Sequence, residues 1–125
     1  MNTLAYFEIQ ASEPKTLVDF YGKVFGWNFT EQKGLPIEYY HIETEGITGG
    51  ILKRPAAVPP MESGTNAFTC SMQVEDFDAT AKLILENGGM EAMPKFAVPG
   101  KCWQGYFIDP DHNVFGLFEV DEDAR

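Results

Sequence analysis

The sequence predicts an α+β fold: two tandem βαβββ modules whose mixed sheets curve around a trough. Three observations carry this prediction. The order of strand and helix signals in the first half recurs in the second. Residues also match between the halves: Gln10 falls on Gln73 and Gly26 on Gly89 at one common offset, and Gly50 falls on Gly116 at a slightly longer one. Between the halves lies a proline-rich stretch without periodicity, which reads as a linker running over the surface. The expected layout is therefore a first module over 1–54, a linker over 55–66, a second module over 67–121 and an acidic tail over 122–125.

The elements follow in order. Leu4 to Gln10 alternates as a strand does, with Tyr6, Glu8 and Gln10 on one face. Ser12-Glu-Pro14 signals a helix start, the hydroxyl as cap and proline in the first turn. Leu17, Phe20, Tyr21 and Val24 recur at helical spacing, and Gly26 ends the helix in a left-handed conformation. Short strands are expected over Trp27–Thr30, Glu38–Thr44 and Ile47–Lys53. In the second half, Ala67–Val74 reads as a strand. Asp76 caps a helix that buries Phe77, Ala81, Ile84 and Leu85, and Asn87-Gly-Gly89 stops it. Met90–Met93 is a short strand. Lys101–Ile108 and Val114–Val120 form a hairpin around Asp109-Pro-Asp-His-Asn113, where His112 or Asn113 must take a left-handed conformation.

Composition narrows the function classes. The chain has 125 residues, a single-domain length, and is 44% hydrophobic and 14% aromatic, enough to fill a core. Its formal net charge is -10, from 19 acids against 9 bases. That balance argues against nucleic acid, which needs a basic footprint. A cationic ligand is compatible with it, although solubility is the simpler account. No apolar run approaches the ~20 residues of a membrane span. No secretory signal precedes the first strand, and Cys70 and Cys102 form neither a metal pair nor a disulfide framework, so a reducing cytoplasm is expected.

At this point the chain resembles the vicinal-oxygen-chelate superfamily of glyoxalases, extradiol dioxygenases, and fosfomycin and bleomycin resistance proteins. The resemblance rests on Phe7-Glu-Ile9 with Asp19-Phe-Tyr-Gly-Lys-Val-Phe-Gly-Trp27, on Gln73-Val-Glu-Asp76 with Asn87-Gly-Gly89, and on Asp109-Pro-Asp111 with Asn113-Val-Phe-Gly-Leu117. It implies a divalent metal held by one side chain from the first strand and one from the last strand of each module. Carried over, those positions are Tyr6, Thr69, Gly50 and Gly116. Glycine offers no ligand, and neutral tyrosine and threonine are poor ones for zinc, nickel or iron. The expectation is therefore no metal and no other cofactor. The resemblance also implies a homodimer, and the apolar Trp27, Phe29 and the aromatic C-terminal hairpin are the candidate contacts.

Alternation then fills the trough. Tyr6, Glu8 and Gln10 point inward from the first strand, and Thr69, Ser71 and Gln73 from its counterpart. The last hairpin places Tyr106 opposite Gly116 and Gln104 opposite Phe118. The same offset puts Tyr40 and Glu38 opposite Gly50. The two glycines leave open floor that suits a flat ligand. Glu8 is the candidate general base, since an acid desolvated on an interior strand has its pKa raised; the alternative is structural pairing with a nearby amide. His41, opposite in parity to Tyr40, is expected on the outer face, and Cys70 under the helix. Two functions remain open: a metal-independent small-molecule binder similar to the bleomycin-resistance branch, or a lyase, isomerase or related enzyme that uses Glu8 or a tyrosine in place of a metal.

Overall fold

The structure, a computed structural model, describes residues 4–54 and 69–125. They fall into two compact units, one within Met1–Asn66 and one within Ala67–Arg125. The expected linker 55–66 and the start of the expected strand at Ala67 lie outside the described residues.

The first unit runs β1 (Phe7–Ala11), α1 (Pro14–Phe25), β2 (Asn28–Glu31), β3 (Tyr39–Glu43) and β4 (Gly49–Lys53). Its sheet has the order β1-β4-β3-β2, with β1 and β4 parallel and the other pairs antiparallel. Helix α1 buries Pro14, Leu17, Phe20, Tyr21 and Val24. They pack over the face that carries the fully buried Ile42 and Ile51. Each such side chain contributes about 1.5–3 kcal/mol of burial. Gly26 ends the helix at φ 70°, ψ 22°, as its position predicts. The start differs from expectation. Glu13 is the N-cap and no side chain caps it; the Ser12 hydroxyl instead accepts from Arg54 Nε at 3.3 Å. Trp27 is a packing residue, its indole stacked flat on Tyr21 (5.2 Å, 7°) and against Phe25 at 5.4 Å.

The second unit repeats the plan with β5 (Ser71–Gln73), α2 (Phe77–Glu86), β6 (Met90–Val98), β7 (Cys102–Ile108) and β8 (Val114–Val120), in the order β5-β8-β7-β6. The N-terminus of α2 is doubly satisfied: Asp76 accepts from the Ala79 N–H at 3.0 Å, and Glu119 from that of Phe77 at 2.7 Å. Phe77 and Ile84 are its buried residues, whereas Leu85 is 54% exposed, one position beyond the buried stripe. β6 runs further than Met93 and absorbs Pro94 through register shifts between Met93 and Phe96, which an edge strand tolerates. Cys70 is exposed rather than covered by α2.

The β7–β8 turn is built on Asp109, which is almost fully buried. Its carboxylate accepts from the N–H groups of Asp111 (2.8 Å) and Asn113 (3.0 Å) and from Asn113 Nδ2 (2.9 Å). His112 takes the left-handed conformation, at φ 66°. The acidic tail is docked rather than free. Asp121 accepts the Trp103 indole N–H at 3.0 Å, the Ala124 carbonyl accepts from Gly100, and Ala124 is fully buried. The Asp123 N–H, then the indole, hold the Asp121 carboxyl below its usual value.

Candidate functional site

In the first sheet, strand register decides which side chains share a face. Glu8 pairs with Gly50, Gly50 with His41, and His41 with Thr30. Two residues along, Gln10 pairs with Leu52 and Leu52 with Tyr39. The alternate rows, Phe7–Gly49–Ile42 and Ile9–Ile51–Tyr40, carry the buried residues covered by α1. Glu8, Gln10, Tyr39 and His41 therefore occupy the face turned away from the helix.

The expected placement of Tyr40 and Glu38 is thus corrected. Tyr40 lies opposite Ile51, is buried on the helix side, and donates to Glu38 at 3.0 Å. Burial first, then that hydrogen bond, pushes its phenol up to about 12. The residues facing Gly50 are His41 directly and Tyr39 diagonally. His41 is accordingly not on the outer face. It lies half-buried, its ring stacked on Tyr6 at 6.4 Å and 23°. The cause is loop length. Ile108 pairs with Val114 across five turn residues, but Ile42 pairs with Gly49 across six, and a one-residue change reverses every side chain beyond it. Counting the residues of the two turns is the signal that would have found Tyr39 and His41.

Gly50 lies on the strand between β1 and β3, whose backbones are about 10 Å apart. Without a side chain there, groups from the two outer strands meet above it. The Tyr39 ring lies directly over Gly50, where a Cβ would strike its hydroxyl and ring carbons. Its phenol donates to Glu8 Oε2 at 2.6 Å and lies 2.6 Å from the Tyr6 phenol. The open floor expected at Gly50 is therefore occupied by Tyr39. Burial, then the bonds to Glu8 and Tyr6, push the Tyr39 phenol far above its ordinary value, so it stays protonated as the donor to Glu8. Glu8 is exposed rather than desolvated, and Tyr6 is 41% exposed.

The second sheet has the same construction. Ser71 pairs with Gly116, Gly116 with Tyr106, and Tyr106 with Met93; beside them Gln73 pairs with Phe118, Phe118 with Gln104, and Gln104 with Phe96. Gln104 Nε2 donates to the Ser71 hydroxyl at 3.3 Å over Gly116, where a Cβ would lie 2.9 Å from Nε2. Phe96 and Tyr106 stack at 6.4 Å. Thr69 is exposed just ahead of β5. The structure thus brings Tyr6, Glu8, Gln10 and Gly50 to one face of the first unit, and Ser71, Gln73, Gln104, Tyr106, Gly116 and Phe118 to one face of the second.

The positions corresponding to the family's metal ligands do not fit a divalent transition metal. In the first unit they supply one phenol, engaged with Tyr39, and one glycine beneath a tyrosine ring. In the second they supply a threonine and a glycine covered by Ser71 and Gln104. Among the described residues, no three His, Cys, Asp or Glu side chains gather so as to hold an ion.

The fold and its repeated register define a protein of the vicinal-oxygen-chelate class. Residues 3–117 match the family described as the Glyoxalase/Bleomycin resistance protein/Dioxygenase superfamily, and the chain belongs to it. Among similar solved structures is a glyoxalase/bleomycin resistance protein/dioxygenase family enzyme from Burkholderia phytofirmans PsJN (19% identity, 94% of this chain and 98% of that one, TM-score 0.72). Another is the fosfomycin resistance protein FosX from Listeria monocytogenes (15%, 97% and 93%, 0.77). A third is TioX from Micromonospora sp. ML1 (15%, 96% and 100%, 0.70). At these identities the likeness speaks to the fold alone. No curated protein matches the sequence at a significant level. No helix among the described residues is long and apolar enough to cross a membrane.

Proposed function

We propose that this chain is a small-molecule-binding member of the superfamily that works without a metal and takes its ligand on the face of the first sheet around Glu8. One observation carries the reading: Tyr39 lies over Gly50 and fixes Glu8, so the place of a metal ligand holds a phenol–carboxylate bridge. The second unit's own sheet carries Gln104, Tyr106 and Phe118, an aromatic and amide surface without an ionisable pair among the described residues. A cytoplasmic homodimer belongs to this reading, and light scattering across a concentration series checks the dimer.

A second reading is an enzyme in which Glu8 acts as general base. The observation in its favour is that Glu8 is exposed and shares its cross-strand row with His41. A thermal-shift screen of small organic molecules on wild type and Glu8→Gln separates the two. A ligand at a hundredfold excess over its Kd stabilises the protein by about 2.7 kcal/mol, which such a screen detects. Binding alone predicts shifts that shrink in Glu8→Gln, with no product by mass spectrometry. The enzyme reading predicts a ligand that still binds Glu8→Gln but is converted only by wild type. Shifts that never depend on Glu8, with no product from wild type, would remove both.

A further inference from the structure

We infer that the ligand class taken at Glu8 is an organic cation, its charge against the carboxylate and its apolar body against Tyr6 and His41; the inference rests on the binding reading above. Tyr39 has one hydroxyl proton and donates it to Glu8 Oε2. The 2.6 Å contact between the two phenols then requires Tyr6 to donate to Tyr39. Both phenolic protons are consumed inside the chain Tyr6→Tyr39→Glu8. What this chain presents outward is acceptors: the second carboxylate oxygen of Glu8 and the Tyr6 oxygen. A ligand completing it must bring donors.

Charge points the same way. Glu8 has no cationic partner within ion-pair distance among the described residues. The nearest cations in sequence on the paired strand are held elsewhere, Lys53 by the Ser12 carbonyl at 2.5 Å and Arg54 by the Ser12 hydroxyl. An anionic ligand would meet a carboxylate with no cation paired to it among the described residues, and the chain's net charge of -10 adds to the repulsion. The stacked Tyr6 and His41 rings supply flat surface beside the carboxylate, and aromatic faces attract cations. Tyr39 is a positioning residue here: it fixes Oε2 and leaves the other oxygen to the ligand.

The test is an NMR titration of the isotopically labelled full chain with three probes of one shape: benzylammonium chloride, benzyl alcohol and sodium benzoate, at fixed ionic strength. Benzylammonium should move the Tyr6, Glu8, Tyr39 and His41 signals saturably and bind about tenfold tighter than benzyl alcohol, with benzoate inert. Glu8→Gln should erase that advantage, and Tyr39→Phe should cut it by about half. If Glu8→Gln disturbs the sheet, a salt series on wild type decides: added salt should weaken benzylammonium and leave benzyl alcohol unchanged. Equal binding of alcohol and ammonium at these residues would overturn the cation assignment while leaving the ligand-site reading intact. An ammonium advantage that survives Glu8→Gln or ignores salt would overturn it too. No response at these residues from any probe would overturn this inference, and the thermal-shift screen would then judge the binding reading separately.

Discussion

Over Gly50 a phenol reaches a carboxylate; over Gly116 an amide reaches a hydroxyl. The two sheets match position for position: Glu8 stands where Ser71 does, Tyr39 where Gln104 does, and His41 where Tyr106 does. Both modules bare the central strand at one residue so that the outer strands can hydrogen-bond across it. Only the first spends that geometry on an ionisable pair. The second surrounds it with Met93, Phe96, Tyr106 and Phe118. Duplicated backbone therefore does not mean duplicated chemistry. The asymmetry of charge, rather than the shared register, makes the first sheet the candidate site.

The largest expected effect separates the two glycines. Gly50→Ala drives a Cβ into the ring of Tyr39 and should cost about 1–3 kcal/mol with loss of the Tyr39–Glu8 bond. Gly116→Ala meets the Ser71 hydroxyl and the Gln104 amide, which can turn aside, with Ser71 Cβ at 3.0 Å the one fixed neighbour, and should cost less. Thermal or urea denaturation of both variants checks the order; an equal loss would break the distinction between modules.

Alkali should act through the first module. Tyr39 and Tyr40 both titrate above the ordinary value of 10.0 in the folded chain. A raised folded pKa gives stability that is complete below the unfolded value and lost as pH rises through the folded one. Stability should thus fall progressively above pH ~10, and Tyr39→Phe should flatten part of the fall. Ultraviolet titration of phenolate, run beside denaturation, reads both quantities.

Near neutrality the bridges can be compared by truncation. Tyr39→Phe removes a bond to a charged acceptor and should cost about 1 kcal/mol, given its partial exposure, whereas removing the Gln104–Ser71 bond with Gln104→Leu should cost less. Denaturation of the two variants ranks them. The smallest effect belongs to the second module's tail. The Asp121 carboxyl titrates below its usual value, so its contribution is present above the unfolded pKa and fades as pH falls through the folded one. Asp121→Asn should blunt that acid-side loss and change Trp103 fluorescence, because the indole bonds to this carboxylate.

Much of this architecture was legible because it depends on local chemistry. Gly26, the Asp76 cap, His112 at positive φ and the alternation in β7 and β8 are all written in a few adjacent residues. The register of the second module followed directly, with Tyr106 opposite Gly116 and Gln104 opposite Phe118. What failed was a transfer. Applying the spacing of the glycine pair to β3 ignored one extra turn residue, and that exchanged Tyr40 and Glu38 for Tyr39 and His41. Nor could alternation reveal that the gap above Gly50 is filled from a neighbouring strand, since that contact is set by a rotamer rather than by sequence spacing. The docking of the tail through Asp121 and Ala124 was hidden for a similar reason: an acidic C-terminal run reads as solvated until its backbone partners are known.

The central claim is that a phenol–carboxylate bridge stands in place of a metal site on the first sheet. Metal analysis by mass spectrometry tests it most directly, on protein purified after growth with zinc, nickel, manganese and iron, for wild type and Tyr6→Ala. The account predicts far less than one ion per chain in both. One tightly held ion per wild-type chain, lost in Tyr6→Ala, would contradict it.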